Sequence, residues 1–238
     1  TEVFSLSFYI GGNMRFLVLS DIHGDLAYVE TLNEEFVKAD AVLFAGDFAR
    51  VSEEQTGKPV LDRLIKKHDV LFSVLGNCDP QSFLDELDSY DVSVQGNLAF
   101  MDGLAFIGAG GGTKFTGLTS NERSEDDIAS DLSLVTDSGE TDWNNLVMII
   151  HNPPHNTGLD KISAGLHVGS PKIRQIIETI QPLAVITGHI HESYGIEMIG
   201  KTLVINPGSL AEGRYGVLEI EKKDGLFTAK AELFDIKI

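Results

Sequence analysis

The chain has 238 residues and a formal net charge of −18 at pH 7, with 36 Asp and Glu against 18 Lys and Arg. That surplus repels nucleic acid and anionic membranes, which are bound through basic patches, and repels phosphate esters unless a cation inverts the local potential. The single cysteine excludes an internal disulfide framework and points to a reducing, cytoplasmic setting, and no apolar run approaches the ~20 residues of a membrane span.

Residues 1–13, "TEVFSLSFYIGGN", lack a basic n-region and a small-residue cleavage site, so they do not read as a signal peptide; a leader or an extra edge strand are the readings left open. Residues 14–238 show no internal repeat and no linker-like boundary and read as a single domain. "RFLVLS" (15–20) predicts a strand, and Asp25 a cap for a helix with Leu26, Val29, Leu32 and Phe36 on one face. "AVLFA" (41–45) and "VLFSVL" (70–75) predict further strands. A helix through Leu61, Leu64 and Ile65 lies between them, and "PQSFLDELDSY" starts another with Pro80 in its first turn. "DVSVQ", "LAFMD" and "LAFIGAG" read as strands without helices, and 110–123 as a loop. Ser124 and Asp127 form a capping box for a helix with Ile128, Leu132 and Val135. After the strand "LVMII" (146–150), the stretch 152–169 is long enough to be a functional loop. Ser170 and Pro171 then open a helix carrying Ile173, Ile176, Ile177 and Ile180, and "LAVIT" (183–187) is a strand. Strands and turns run from Tyr194 to the end. The alternation is that of a layered α/β fold.

Five apolar strands run into residues that bind cations: Asp21-Ile-His23, Gly46-Asp47, Gly76-Asn77-Cys78-Asp79, His151-Asn152 and Gly188-His189-Ile190-His191. Sites in open α/β sheets gather beyond the carboxyl ends of strands, so these segments should converge. If the D-x-H and H-x-H segments are extended, residues i and i+2 face one side. Glycine beside the ligands permits tight turns and close approach. Two nearby cations need a bridging carboxylate, and Asp47 suits that place. Carboxylate, imidazole and amide donors suit Mn, Fe or Zn more than Ca. Each fragment alone has an ordinary explanation, since G-D and G-N are turn dipeptides and a loop histidine is usually solvated. Chance agreement of all five in order is remote.

The series D-x-H…G-D…G-N-x-D…H…G-H-x-H resembles the signature of the calcineurin-like metallophosphoesterases, from Met14 to about residue 220. The resemblance implies a two-sheet β-sandwich flanked by helices, an αββα architecture, with two divalent metal ions. Manganese is favoured, with Fe, Zn, Ni or Mg as alternatives. It implies that Asp21, His23, Asp47 and His191 hold one ion, and Asp47, Asn77, His151 and His189 the other. Asp47, Asn77 and His151 are then the catalytic candidates, and a metal-bound hydroxide attacks phosphorus.

Two departures qualify the match. "GDFARVS" lacks the phosphate-clamping arginine of the protein-phosphatase branch, leaving Arg50 as an approximate substitute. Cys78 stands where many relatives carry the histidine thought to protonate the leaving group. The G-N-C-D variant and "NPGSL" (206–210) are similar to the small prokaryotic phosphodiesterase branch. Leu84 rules out a C-x5-R nucleophile loop at Cys78. Because adjacent side chains diverge and Asn77 supplies the ligand, the thiol reads as lining the pocket off the metals. Asp79, His155 and His167 are the other substrate-proximal candidates, the two histidines equally well read as solvated. His68 reads as a surface residue, and Asn206 and Ser209 as turn and outer hydrogen-bonding residues. The expected activity is hydrolysis of a small phosphate ester, most readily a phosphodiester. No nucleic acid or membrane partner is expected, and a homo-oligomer is left open. The alternatives are a non-catalytic scaffold, like the retromer subunit of the same superfamily, and a repair nuclease, which wants a basic channel.

Overall fold

The computed structural model describes residues 12–115, 117–139 and 143–236. Residues 1–11 lie outside these, and with them the expected leader or edge strand; Asn13 already opens the first strand, β1 (Asn13–Leu19). Next come α1 (Asn33–Lys38), β2 (Ala41–Phe44), α2 (Gly57–Lys67), β3 (Leu71–Ser73), α3 (Leu84–Ser89), β4 (Ala99–Met101) and β5 (Leu104–Ala109). They are followed by β6 (Gly112–Thr113), β7 (Glu122–Arg123), α4 (Glu125–Ser130), α5 (Ser133–Thr136), β8 (Leu146–Ile150), α6 (Pro171–Ile180) and β9 (Ala184–Ile186). The last four are β10 (Gly195–Ile199), β11 (Thr202–Asn206), β12 (Arg214–Lys223) and β13 (Leu226–Asp235).

Among the described residues, a five-stranded sheet has the order β13-β12-β1-β2-β3 and a six-stranded sheet the order β10-β11-β9-β8-β5-β4. β1, β2 and β3 run parallel, as do β5, β8, β9 and β11. Their carboxyl ends therefore share one rim of the sandwich. Side chains alternate along each strand, so β1 sends Phe16 and Val18 between the sheets and Leu17 and Leu19 outward. The inner layer closes on Phe16, Phe72 and Phe106. Phe72 stacks on Phe106 at 4.3 Å, and such pairs add about 0.5–1.5 kcal/mol beyond burial. Outside, α1, α2 and α3 cover the first sheet through Phe36, Leu61, Leu64 and Leu87. The helices α4, α5 and α6 cover the second through Ile128, Leu132, Val135, Ile173 and Ile177. This is the expected αββα sandwich. No helix among the described residues is long and apolar enough to cross a membrane.

Several boundaries differ from the sequence reading. The helix expected after Asp25 is a 3-10 turn, Val29–Leu32, followed by α1; Asp25 instead closes a local turn by accepting from the Ala27 N–H. Pro80 precedes a 3-10 turn that leads into α3. "DVSVQ" forms only the isolated bridges Ser73–Ser93 and Gln95–Gly108, and within 110–123 the two-residue strands β6 and β7 pair. The capped helix after Ser124 breaks into α4 and α5, although Ser124 caps it as expected by accepting from the Asp127 N–H. Ser170 likewise caps α6, accepting from the Ile173 N–H at 3.0 Å. His68 is half-buried and ties the end of α2 to the Ala39 carbonyl at 3.0 Å, so it is not a free surface residue.

Candidate metal centre

The turns that leave the parallel strands are interlocked across the two sheets. Gly188 N–H donates to the His151 carbonyl, Leu210 N–H to that of Ser20, and the Ser209 hydroxyl to that of Asp21. Two glycines are obligatory here. A Cβ on Gly76 would lie 1.9 Å from Asp47 Oδ1, and one on Gly188 would lie 2.0 Å from Ser20 Oγ.

The side chains converge by a different route from an extended D-x-H segment. Asp21, His23, Asp47 and His189 all adopt positive φ, at 55°, 48°, 61° and 70°. Non-glycine residues pay for this left-handed conformation with roughly 1–2 kcal/mol each. It is imposed by distant backbone: the N–H groups of Ile22 and His23 both reach the Asp47 carbonyl, and the His189 N–H reaches Asp21 Oδ2.

All seven expected ligand residues meet at this rim. Asp21, His23 and His191 offer donor atoms within 4.8 Å of one another, as do Asp21, Asp47 and His151. Asp47 Oδ2 lies 3.7 Å from His23 Nε2 on one side and 3.6 Å from His151 Nε2 on the other. Asn77 presents Oδ1 to His151 Nε2 at 2.8 Å. His189 packs edge-on against His151, with ring centroids 5.1 Å apart.

The hydrogen bonds behind the rings decide what the front can hold. His151 Nδ1 meets the Ala45 carbonyl at 2.6 Å, His23 Nδ1 that of Ala49 at 3.1 Å, and His191 Nδ1 the Glu212 carboxylate at 3.2 Å. Those partners only accept, so each Nδ1 carries a proton, and each ring, when neutral, turns a lone pair forward from Nε2. His23 Nε2 then faces His191 Nε2 at 3.2 Å, and His151 Nε2 faces an amide oxygen. Acceptors opposed at such distances need a cation or a proton between them. The donor set fits divalent metal ions on that ground.

A family model described as calcineurin-like phosphoesterase matches residues 14–193. The chain belongs to the calcineurin-like phosphoesterases. An uncharacterized protein from Methanocaldococcus jannaschii is 32% identical over 200 residues, covering 82% of this chain and 88% of that protein. The crystal structure of TT1561 of Thermus thermophilus is 19% identical, with a TM-score of 0.68 over 95% of this chain and 100% of that one. A putative 5'-nucleotidase from Staphylococcus aureus, solved in complex with alpha-ketoglutarate, is 15% identical with a TM-score of 0.61. That match covers 94% of this chain and 54% of the nucleotidase. At these identities the two structures share the fold.

Not every expected residue of this phosphoesterase faces the groove. Asp79 is fully buried, and its carboxylate accepts from the N–H groups of Asp47, Ala49 and Gly76 at 3.0, 2.8 and 2.7 Å. It staples the turns that follow β2 and β3 together instead of facing the groove. His155 and His167 lie apart from the ligand cluster, where both approach the buried Asp160, His167 Nδ1 at 2.7 Å. Cys78 differs in the other direction. Its sulfur lies within 4.8 Å of donor atoms of His23 and Asp47, and 3.6 Å from Asn77 Nδ2, so the adjacent side chains do not diverge. Burial and the neighbouring Asp47 charge push its thiol up, so in the metal-free centre it holds its proton. Glu212, in the 3-10 turn Leu210–Glu212, and Thr119, in the 110–123 loop, lie beside the cluster and carry no signal in the sequence; only the fold sets their positions.

Protons and metal compete for this centre. Burial lowers the His23 pKa, but the Asp21 hydrogen bond and the Asp47 charge outweigh it and hold the group at about 9, against 6.5 ordinarily. Burial, with His151 beside it, takes His189 down to about 4, so that ring is already neutral. In the metal-free protein, His23 therefore contributes stability that is complete below pH 6.5 and lost as pH rises through about 9. Metal uptake near neutral pH should release about one proton from His23, and affinity should climb with pH until about 9. Titration calorimetry in buffers of different ionisation enthalpy measures this release. Uptake without a proton, or the same release from His23→Asn, would contradict the assignment.

Proposed function

We propose that this phosphoesterase hydrolyses small phosphate esters, phosphodiesters foremost, at two divalent metal ions, with manganese the favoured metal. The observation that carries the reading is the placement of Asp47 Oδ2, flanked at nearly equal distances by His23 and His151. On this reading Asp47 bridges. Asp21, His23 and His191 complete one site, and Asn77, His151 and His189 the other. When bound, the metals supply a nucleophilic oxygen at neutral pH and offset the charge of the phosphate.

The chain's own residues do the rest. The Ala45 and Ala49 carbonyls and Glu212 hold the Nδ1 protons of His151, His23 and His191, fixing the tautomers that leave Nε2 free. Arg50, on the lip of the groove, donates from Nε to the His23 carbonyl and is placed to meet a phosphate oxygen. Without an arginine clamp in "GDFARVS", and with a −18 surface, the site favours a small monoanionic diester over a phosphoprotein. The single free, buried cysteine fits a reducing, cytoplasmic setting.

Cys78 is a lining residue in this scheme, so Cys78→Ser should leave the rate on a nitrophenyl diester within a few-fold of wild type, a small shift against the ~10²–10⁴-fold of a general acid. A thousand-fold drop with both metals retained would give the sulfur a chemical role. The function itself is tested on metal-free protein reconstituted with Mn, Ni, Zn or Mg and assayed against phosphate mono- and diesters. Turnover of bis-aryl phosphates above phosphopeptides is expected. No turnover with metals verifiably bound would favour the scaffold, and a preference for phosphopeptides would overturn the diesterase assignment.

A further inference from the structure

Beside the metal groove lies a cavity of about 250 Å³ that shares Asn77, Thr119 and His189 with it. Its far wall is apolar: Phe115 from the 110–123 loop, Ile162 and Val168 from the 152–169 loop, and Ile190 from between the two ligand histidines. Among the described residues, no lysine or arginine lines it. Its one carboxylate, Glu122, is turned to loop amides, accepting from the N–H groups of Phe115 and Gly117 at 2.8 Å each. The opposite wall is fastened in the same manner. The buried Asp160 accepts from the N–H groups of Asn156, Thr157 and Gly169 at 3.0, 2.9 and 3.0 Å. Both loops are thus held in place around the cavity before any ligand arrives.

We propose that this cavity takes the organic group of the substrate, and that the group is uncharged and the size of one aromatic ring or a fused pair. The proposal rests on the phosphoesterase reading only in placing the phosphorus at the adjoining donor cluster. Size sets the limit, since an apolar cavity of roughly 150 Å³ holds a benzene ring. Charge sets the class. An anionic group against the far, apolar wall, where no lysine or arginine stands, loses its hydration uncompensated, on a chain whose net charge is −18. Nucleoside polyphosphates and acidic peptides are disfavoured; aryl and uncharged heterocyclic esters are favoured.

The test measures binding as well as turnover. Methyl-, phenyl-, naphthyl- and 4-carboxyphenylphosphonate each carry one organic group, and their affinities for the manganese-loaded protein are read by calorimetry alongside hydrolysis of a bis-aryl phosphate. Phenylphosphonate should bind about tenfold or more tightly than methylphosphonate, from burial of the ring, and the carboxylate should erase that gain. Phe115→Ala, at an exposed loop side chain, and Ile162→Lys should each weaken phenylphosphonate while leaving methylphosphonate unchanged. Ile162→Lys should also strengthen the carboxyphenyl compound. Equal affinities across the series, or an aryl preference that survives both substitutions, would overturn the proposal even if esters are hydrolysed. An aryl preference without hydrolysis would uphold the cavity assignment and sink the hydrolase reading.

Discussion

Asp47→Asn should reduce the metal content from two ions per chain to one or none, and lower the rate on a bis-aryl phosphate by more than about 100-fold. The substitution isolates charge. Asparagine tolerates the left-handed backbone that Asp47 adopts, φ 61°, whereas alanine would add strain. It also keeps an oxygen to accept from the Cys78 N–H at 2.8 Å. What disappears is the negative charge facing His23 and His151 together. The His23 pKa should consequently fall from about 9, because the Asp47 charge is one of the effects holding it up. Metal analysis, steady-state rates and an NMR titration of the metal-free variant check the three outcomes. A variant that binds two ions and turns over normally would remove Asp47 from the bridging position.

Asp79→Ala should be the costliest change outside the ligands. It strips the acceptor from three buried amide groups at once, on Asp47, Ala49 and Gly76. At about 1–3 kcal/mol per orphaned group, the loss is on the order of 3–9 kcal/mol, or upwards of about 6 °C in melting temperature. Asp79→Asn should cost less at neutral pH. Burial and the charge of Asp47 raise the Asp79 pKa from 3.8 to about 6, so the folded chain accommodates the neutral form more readily than the ion. Between pH 3.8 and 6 the folded state binds more protons at Asp79 than the unfolded one, and stability from this group declines as pH rises through that window. In the asparagine variant that decline should vanish. Denaturant unfolding of the metal-free proteins at pH 4 and pH 7 separates the cases. An alanine variant within about 0.5 kcal/mol of wild type, the range of a neutral surface change, would show that the two turns hold without the carboxylate.

The αββα layering was legible because the pattern that encodes it is local. Strands such as "LVMII" and "AVLF" are continuously apolar because both faces are covered, and "PKIRQIIETI" puts Ile173 and Ile177 on one side of α6. The residues that gather at the rim were legible for the same reason. Asp21, Asp47, Asn77, His151 and His189 stand directly after, or within a few residues of, the strands that carry them to the rim. Helix continuity was less so. The pattern from Leu26 to Phe36 correctly names a buried face, yet the backbone divides it between a 3-10 turn and α1, because packing on Leu17 and Leu19 rewards burial of the side chains and not the period between them.

Asp79 and Cys78 mark where sequence reasoning stops. Whether a carboxylate beside a ligand faces the substrate or staples the turns depends on where Asp47 and Ala49, 32 and 30 residues away, leave their N–H groups. The positive φ of Asp21, His23, Asp47 and His189 is of the same kind. Asp and His are only modestly tolerant of that conformation, so residue type does not announce it. Hydrogen bonds between segments as far apart as Asp21 and His189 hold it in place, 168 residues distant in sequence. The sequence alone determined that Asp21, Asp47, Asn77, His151 and His189 would be carried to the rim, since residue type and strand periodicity are properties of short stretches. Only the tertiary structure decided which way those side chains point and which two loops wall the adjoining cavity, because both depend on backbone partners that chain folding brings together from remote positions.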